Sequence, residues 1–290
     1  MPALLRVILD TSAINHIEDG GQQFEPLLRG LDCGFEVILP ATSADEILFT
    51  SRATRRQALR SRFGRLLSLS AAWCIMPPGE IVRRLVDAHA GNAPFDWMNV
   101  DVRARGYEAA IPAGDFDDAI CAEGLAESRG AQAIWRTVLQ KLELRPKHDQ
   151  VAAGSSSDGP QSYHDYSTLL ASEDGILAMV GRLYEAASAS GKHLTDPEAR
   201  SFVEACAPFR ALCYGLVMAK YNESIRLPDG GPKPPGRIDI LMAAYLPYCS
   251  QFVTDDWPQR RDLPEVAAEA GIDCTVLSLE EFNRSLTAAV

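Results

Sequence analysis

The 290-residue chain is 47% hydrophobic and 23% charged, which is typical of a packed globular protein and excludes a chain that is disordered or fibrous throughout. Its formal net charge of −11 argues against a protein that coats nucleic acid non-specifically, because such binding depends on basic side chains that neutralise phosphates. The chain starts without the regions of a secretory leader and has no run of about 20 apolar residues, so we expect a cytoplasmic protein without a membrane partner.

The first 78 residues alternate between strand-like and helix-like segments. The apolar run LLRVIL, Glu36–Pro40 and Trp73–Pro77 predict three strands. A helix is predicted from Ala13, and a long one from Ser43 to about Ser68. Strands that alternate with helices form mainly parallel sheets, so this part of the chain predicts an α/β fold.

The middle of the chain, residues 79–230, has a different pattern. Helix-period segments such as EIVRRLVDAHA follow one another, with little that resembles a strand. Two tracts rich in Gly, Pro and Ser, at 151–162 and 227–236, predict loops. We therefore predict that residues 79–230 form a mostly α-helical insertion.

The last part of the chain, residues 231–290, returns to the α/β pattern. It predicts a helix from about Asp239 to Tyr248, a strand at Gln251–Thr254, a helix around Leu263–Ala270, a strand at CTVLS and a helix near Glu280. The prediction is therefore one discontinuous α/β domain, built from residues 1–78 and 231–290 around a mainly parallel sheet.

Acidic residues lie at the ends of these predicted elements. Asp10 ends the first strand, Glu46 follows the second, Asp239 begins a helix, and Asp255 and Asp256 follow the strand QFVT. In a parallel sheet these positions share the carboxyl edge, where ligands bind. Clustered carboxylates raise one another's pKa, and bound Mg²⁺ or Mn²⁺ compensates their charge. Because such ions activate water against phosphate esters, the acids predict phosphodiester hydrolysis.

Each acid also has a purely structural explanation. Asp239 fits a helix N-cap, Glu46 complements the dipole of a first helical turn, and Asp255 and Asp256 suit a turn. The order strand-Asp, helix-Glu, helix-Asp, strand-Thr-x-Asp is what favours a functional site.

That order resembles the PIN-domain family of metal-dependent nucleases. The matching segments are VILDTSAIN, ILPATSADEIL, RIDILMAAY and FVTDD, within residues 1–78 and 236–290. The resemblance implies a three-layer α/β fold, Mg²⁺ or Mn²⁺ as cofactor, and nucleic acid as substrate, RNA rather than DNA. The long insertion departs from the compact PIN toxins, so an antitoxin-type protein partner does not follow. The insertion's role as a lid, a dimer surface or a substrate-selecting wall stays open.

The resemblance also assigns roles to individual residues. It implies that the catalytic and metal-binding acids are Asp10, Glu46, Asp239 and Asp256. Asp255 is the reserve metal ligand, and Ser12 or Thr254 supplies a supporting hydroxyl on the substrate side.

The segment Ser51–Arg65 contains six arginines and no acid, on the helix predicted after Glu46. Spacings of three and four residues place Arg52, Arg55 and Arg56 close together, and guanidinium groups suit phosphate oxygens. We predict that these three bind the substrate backbone; the alternative is a solvated helix face.

Two other functions compete with a nuclease. A haloacid-dehalogenase-like phosphatase also places an Asp at a strand end, but it needs a second acid two residues later, where this chain has Ser12. A PIN-like module that binds nucleic acid or protein without cutting it is the other alternative, and metal affinity would distinguish it from a nuclease.

Overall fold

The computed structural model describes residues 4–20, 24–48, 50–91, 94–113, 160, 162–172, 175–226 and 239–288. The predicted loop at 227–236 and most of the one at 151–162 lie outside these residues.

A five-stranded parallel sheet forms the centre of the fold. Its strands are β1 (Leu5–Leu9), β2 (Phe35–Pro40), β3 (Ala72–Ile75), β4 (Gln251–Val253) and β5 (Thr275–Leu277). Their order is β3-β2-β1-β4-β5, and every neighbouring pair is parallel. The predicted α/β class with a parallel sheet is therefore confirmed. The chain adds β2 and β3 on one side of β1 and later adds β4 and β5 on its other side. The strand order therefore reverses between β1 and β4.

Helices make up most of the remaining described chain. The α-helices are α1 (Thr11–Gly20), α2 (Phe24–Gly34), α3 (Ala41–Leu48), α4 (Ala53–Leu67), α5 (Pro78–Gly91), α6 (Arg105–Ala113), α7 (Tyr163–Ser172), α8 (Gly175–Ala187), α9 (Asp196–Ala205), α10 (Ala207–Tyr221), α11 (Trp257–Glu269) and α12 (Leu279–Ala288). Trp97–Asn99 and Asp239–Tyr248 are 3₁₀ helices, and Asn222–Arg226 is a π-helical turn.

Several predicted boundaries differ from the structure. The single helix predicted from Ser43 to Ser68 is two helices, because the chain turns after α3, where Thr50 N and Oγ1 bond the carbonyl oxygens of Ile47 and Glu46. The helix predicted from Leu263 begins earlier, at Trp257, because Asp256 caps it. Helix α2 was not predicted, since a Pro and two Gly interrupt its sequence.

The sheet carries helices on both faces. Alternate strand residues point to opposite sides, and two separate apolar cores result. Val7 and Leu9 belong to the core that α1 to α4 and α12 cover, whereas Ile8 and Phe252 belong to the other. The described structure is therefore a three-layer α/β arrangement.

The described helices of the predicted insertion build the second helical layer. Residues of α5, α8, α9 and α10 share one core with Ile8, Ile38 and Phe252 of the sheet. Helix α10 lies close against the 3₁₀ helix Asp239–Tyr248 at Gly215, where an added Cβ would lie 3.1 Å from both Ala243 Cβ and Ile240 O. The insertion thus positions the element that begins at Asp239.

No single helix in the described ranges has both the length and the apolar content to cross a bilayer. Helices α9 and α10 meet that test jointly, but they are bent by 105° relative to each other.

Candidate functional site at the carboxyl edge of the sheet

Asp10 and Thr254 lie where the strand order reverses. Asp10 follows β1, Thr254 follows β4, and these strands are neighbours in the sheet. Asp10 N donates a hydrogen bond to Val253 O over 3.0 Å, which fixes the ends of the two strands together. In open α/β sheets, ligands bind at the carboxyl ends of strands where the order reverses.

The carboxylate of Asp10 is buried, with 4% of the residue exposed. Its Oδ1 accepts a hydrogen bond from Thr11 N over 2.6 Å, and its Oδ2 accepts from Ser12 Oγ at 3.0 Å and from Thr254 Oγ1 at 2.9 Å. Burial raises the pKa of Asp10 above its ordinary value of 3.8, while the bonds from Thr254, Thr11 and Ser12 act in the opposite direction. Burial of the ionised carboxylate at this position therefore lowers the stability of the folded protein.

The two hydroxyl groups connect Asp10 to the segment after β4. Ser12 Oγ accepts a hydrogen bond from Asp255 N over 2.8 Å, and Thr254 Oγ1 accepts one from Asp256 N over 3.1 Å. The hydroxyl oxygens are also 3.0 Å apart. Each hydroxyl has one proton, so two protons serve three oxygen contacts among Asp10, Ser12 and Thr254. Both hydroxyls thus position Asp10.

Asp255 and Asp256 have different surroundings. Asp255 Oδ2 lies 2.6 Å from His16 Nδ1, and Asp255 Oδ1 accepts a hydrogen bond from Leu279 N over 3.1 Å. Asp256 Oδ1 accepts a hydrogen bond from Gln259 N over 3.0 Å and caps α11. Asp255 is therefore the more fully bonded of the two acids, and Asp256 remains the first candidate ligand.

The structure describes the other two predicted acids in less detail. Glu46 is exposed on α3, and Asp239 begins the 3₁₀ helix, with its side chain outside the described part of the structure. Among the described side chains, no group of three or more His, Cys, Asp or Glu residues is arranged to hold a metal ion. The four-acid metal cluster therefore stays a prediction.

The arginines of α4 are largely compensated by acids. Arg55 Nη1 lies 2.6 Å from Asp19 Oδ1, and its Nη2 also contacts the side chain of Asn15 at 3.3 Å. Further along the helix, Arg62 pairs with Glu18 and Arg65 with Glu25. Of the other two predicted phosphate ligands, Arg52 precedes α4 and is exposed, whereas Arg56 Nη1 donates to Thr50 O over 3.4 Å. The pairs of Arg55, Arg62 and Arg65 with acids fasten α4 to α1 and α2.

Two polar contacts near the site were not predicted. His16 lies one turn after Ser12 on α1 and contacts Asp255, so the spacing of four residues offered a signal for it. Tyr107 Oη donates to Asp45 Oδ1 over 2.7 Å, and this pairing across 62 residues has no sequence signal. Burial, with the neighbouring carboxylate of Asp45, raises the pKa of Tyr107, which keeps its hydroxyl a neutral donor.

Comparison with protein-family models, with curated proteins and with solved structures finds no match for this chain. The likeness to PIN nucleases consequently rests on the quoted sequence motifs alone.

Proposed function

We propose that this protein is a metal-dependent phosphodiesterase that cleaves nucleic acid, with RNA as its substrate. One observation carries the proposal: a buried carboxylate, Asp10, is held by Ser12 and Thr254 at the reversal point of a parallel sheet. Buried carboxylates with a raised pKa are often found at functional sites, and a bound cation would stabilise the ionised form of Asp10. The choice of RNA over DNA comes from the resemblance alone.

The donor groups suit Mg²⁺ or Mn²⁺ in part. Magnesium is commonly held by one or two carboxylates, with waters and substrate phosphates completing its shell. Asp10 is the proposed first ligand, and its carboxylate already accepts hydrogen bonds from Thr11, Ser12 and Thr254. Asp256 and Asp239 are the proposed further ligands, and Glu46 is proposed to act from α3. When bound, the ion supplies a Lewis acid that stabilises charge on the phosphate and promotes ionisation of the attacking water.

The chain's own residues have three tasks in this proposal. Ser12 and Thr254 hold Asp10 in one orientation, so that the carboxylate needs no rearrangement when substrate binds. The capping bond of Asp256 fixes that acid at the start of α11. Arg52, Arg55 and Arg56 are proposed to contact the phosphate backbone, and Arg55 would do so while it shares its charge with Asp19.

A non-catalytic nucleic-acid-binding module is the second candidate. It is favoured by the lack of a three-residue metal-binding group among the described side chains, and by the hydrogen bonds that both oxygens of Asp10 accept within the chain. In such a module the Asp10 network would only stabilise the fold.

Cleavage assays with metal present and absent separate the two candidates. Purified protein is incubated with single-stranded RNA, structured RNA and single-stranded DNA, in Mn²⁺ or in chelator. Asp10→Asn is compared with Asp196→Asn, an exposed acid at the start of α9 that serves as the matched control.

We expect RNA cleavage that requires Mn²⁺, is lost in Asp10→Asn and is unchanged in Asp196→Asn. Cleavage by Asp10→Asn at the wild-type rate would contradict the proposed role of Asp10. If wild type and both variants bind RNA and none cuts any substrate, the binding module is the correct function.

A further inference from the structure

A pocket of about 430 Å³ lies between α1, α2 and α12, at the side of the candidate site. Pockets for small ligands typically measure about 300–1,000 Å³ and are mostly apolar, with a few polar groups. The apolar part of this pocket consists of four buried side chains, Ile17, Phe24, Leu27 and Leu279. The pocket is therefore large enough and apolar enough for a flat ring system.

Polar side chains line the rest of the same pocket. These side chains are His16, Glu280, Asn283 and Arg284, and Glu280 Oε1 lies 4.0 Å from Arg284 Nε. The Nδ1 atom of His16 contacts Asp255, while its Nε2 atom has no hydrogen bond to any described residue. Asn and Arg are the side chains that most often read base edges through paired hydrogen bonds.

One carboxylate links the pocket to the candidate site. Asp255 bonds two pocket-lining residues, His16 through Oδ2 and Leu279 through Oδ1. Its backbone N–H donates to Ser12 Oγ, which in turn donates to Asp10. Hydrogen bonds through Asp255 and Ser12 therefore link the pocket to Asp10. Asp255 also holds two residues of the pocket wall.

We propose that this pocket binds one unpaired nucleobase of the substrate. The inference rests on the proposed function, because it assigns the pocket to the nucleic acid that the site at Asp10 would cleave. A base has an aromatic face for the apolar walls and a polar edge for His16, Asn283 and Arg284. Only an unstacked base can enter such a pocket, so single-stranded regions are the expected substrate.

Gly20 offers a way to fill the pocket without disturbing its walls. It lines the pocket at the end of α1, and an added Cβ there would meet no atom within 4 Å. Gly91 is the matched control, since it is also an exposed residue at the end of a helix, α5, with no atom within 4 Å of an added Cβ. Gly20→Leu adds a side chain at the edge of the pocket, whereas Gly91→Leu makes the same change elsewhere.

Nucleotide binding is measured in chelator by calorimetry, so that the result does not depend on cleavage. The probes are AMP, GMP, CMP and UMP, with ribose 5-phosphate as the probe that lacks a base. We expect at least one nucleotide to bind to wild type, and ribose 5-phosphate not to bind. Gly20→Leu should weaken that binding about tenfold or more, the loss that corresponds to one stacked base, and Gly91→Leu should not.

Asn283→Leu is the second variant, which keeps the branched shape of the side chain and removes the amide. It should change which nucleotide binds most tightly, and it provides a test if Gly20→Leu does not fold. Equal binding of ribose 5-phosphate, no nucleotide binding to wild type, or wild-type affinity in folded Gly20→Leu would overturn the pocket assignment. Metal-dependent cleavage that is lost in Asp10→Asn would then still support the proposed function, and the two failures are therefore distinguishable.

Discussion

Thr254 Oγ1 donates a hydrogen bond to Asp10 Oδ2 over 2.9 Å, and the two residues are 244 positions apart in the sequence. Asp10 ends β1 and Thr254 follows β4, so the bond joins the two parts of the chain where the strand order reverses. The same hydroxyl accepts a hydrogen bond from Asp256 N. One side chain thus positions two of the proposed metal ligands.

Thr254→Val should therefore reduce both stability and activity. The variant keeps the shape of the side chain but leaves Asp10 Oδ2 and Asp256 N each without one buried partner, at a cost of about 1–3 kcal/mol. Thr254→Ser retains the hydroxyl and serves as the control. Urea unfolding of both variants measures the free energy of unfolding, and we expect Thr254→Ser to remain within about 1 kcal/mol of wild type.

The same variant should shift the pH dependence of cleavage. The hydrogen bond from Thr254 lowers the pKa of Asp10, so its removal raises that pKa further. If ionised Asp10 is needed, the acid limb of the pH–rate profile moves to higher pH in Thr254→Val and stays in place in Thr254→Ser. An unchanged acid limb in Thr254→Val would mean that a group other than Asp10 controls it.

The stability of Asp10→Asn relative to wild type should rise with pH. The pKa of Asp10 in the folded protein is raised above 3.8, so the folded protein binds this proton more tightly than the unfolded chain. Wild-type stability therefore decreases as the pH rises from about 4 through the raised pKa, whereas Asn has no such dependence. Urea unfolding between pH 4 and pH 8 should show the advantage of Asp10→Asn growing with pH and then levelling off. A stability difference that stays constant between pH 4 and pH 8 would contradict this account.

The sheet was predictable because its strands are short apolar runs with clear ends. β1 stops at Asp10, β2 ends with Pro40, and β4 is followed by Thr254. These ends place Asp10 and Thr254 on one edge as soon as the strands are taken as parallel. That part of the candidate site followed from sequence order alone.

The remaining contacts depend on packing that periodicity does not encode. Helical spacing in the insertion indicates an apolar face, but nothing in it shows that α10 would pack against the 3₁₀ helix at Gly215. Likewise, the six arginines of Ser51–Arg65 carry no information about Glu18, Asp19 and Glu25, which pair with three of them from other helices. Side chains far apart in the sequence meet only once the layers are assembled.

A buried ion network fastens α11 to the end of α10. Asp262 is fully buried and accepts hydrogen bonds from Arg226 at 3.0 Å, from Arg261 at 2.5 Å and from Asn222 at 2.7 Å. Asp262→Ala would leave two partly buried guanidinium groups without this partner, so we expect a loss of about 3–5 kcal/mol. Glu265→Gln, at a more exposed partner of Arg226, should cost about 1 kcal/mol or less. Chemical denaturation of both variants tests the difference, and equal losses would show that burial does not set the strength of this network.

Alanine substitutions at Gly215 and at a control glycine should change stability in opposite directions. An added Cβ would lie 3.1 Å from Ala243 Cβ and from Ile240 O, a backbone atom, so α10 or the 3₁₀ helix would have to move. We expect Gly215→Ala to destabilise the protein by about 1–3 kcal/mol, the range for overpacked cores. Gly181 lies within α8, and an added Cβ there meets no atom within 4 Å. Gly181→Ala should therefore stabilise by about 0.5–1 kcal/mol through helix propensity.

Measuring activity distinguishes a displacement of the 3₁₀ helix from a loss of stability alone. The 3₁₀ helix that contacts Gly215 begins at Asp239, a proposed metal ligand, so a shift of this helix should weaken metal-dependent cleavage. We expect Gly215→Ala to need more Mn²⁺ for half-maximal cleavage at a temperature where it is fully folded, whereas Gly181→Ala should match wild type. An unchanged Mn²⁺ requirement in Gly215→Ala, with the predicted loss of stability present, would indicate that Asp239 does not bind the ion.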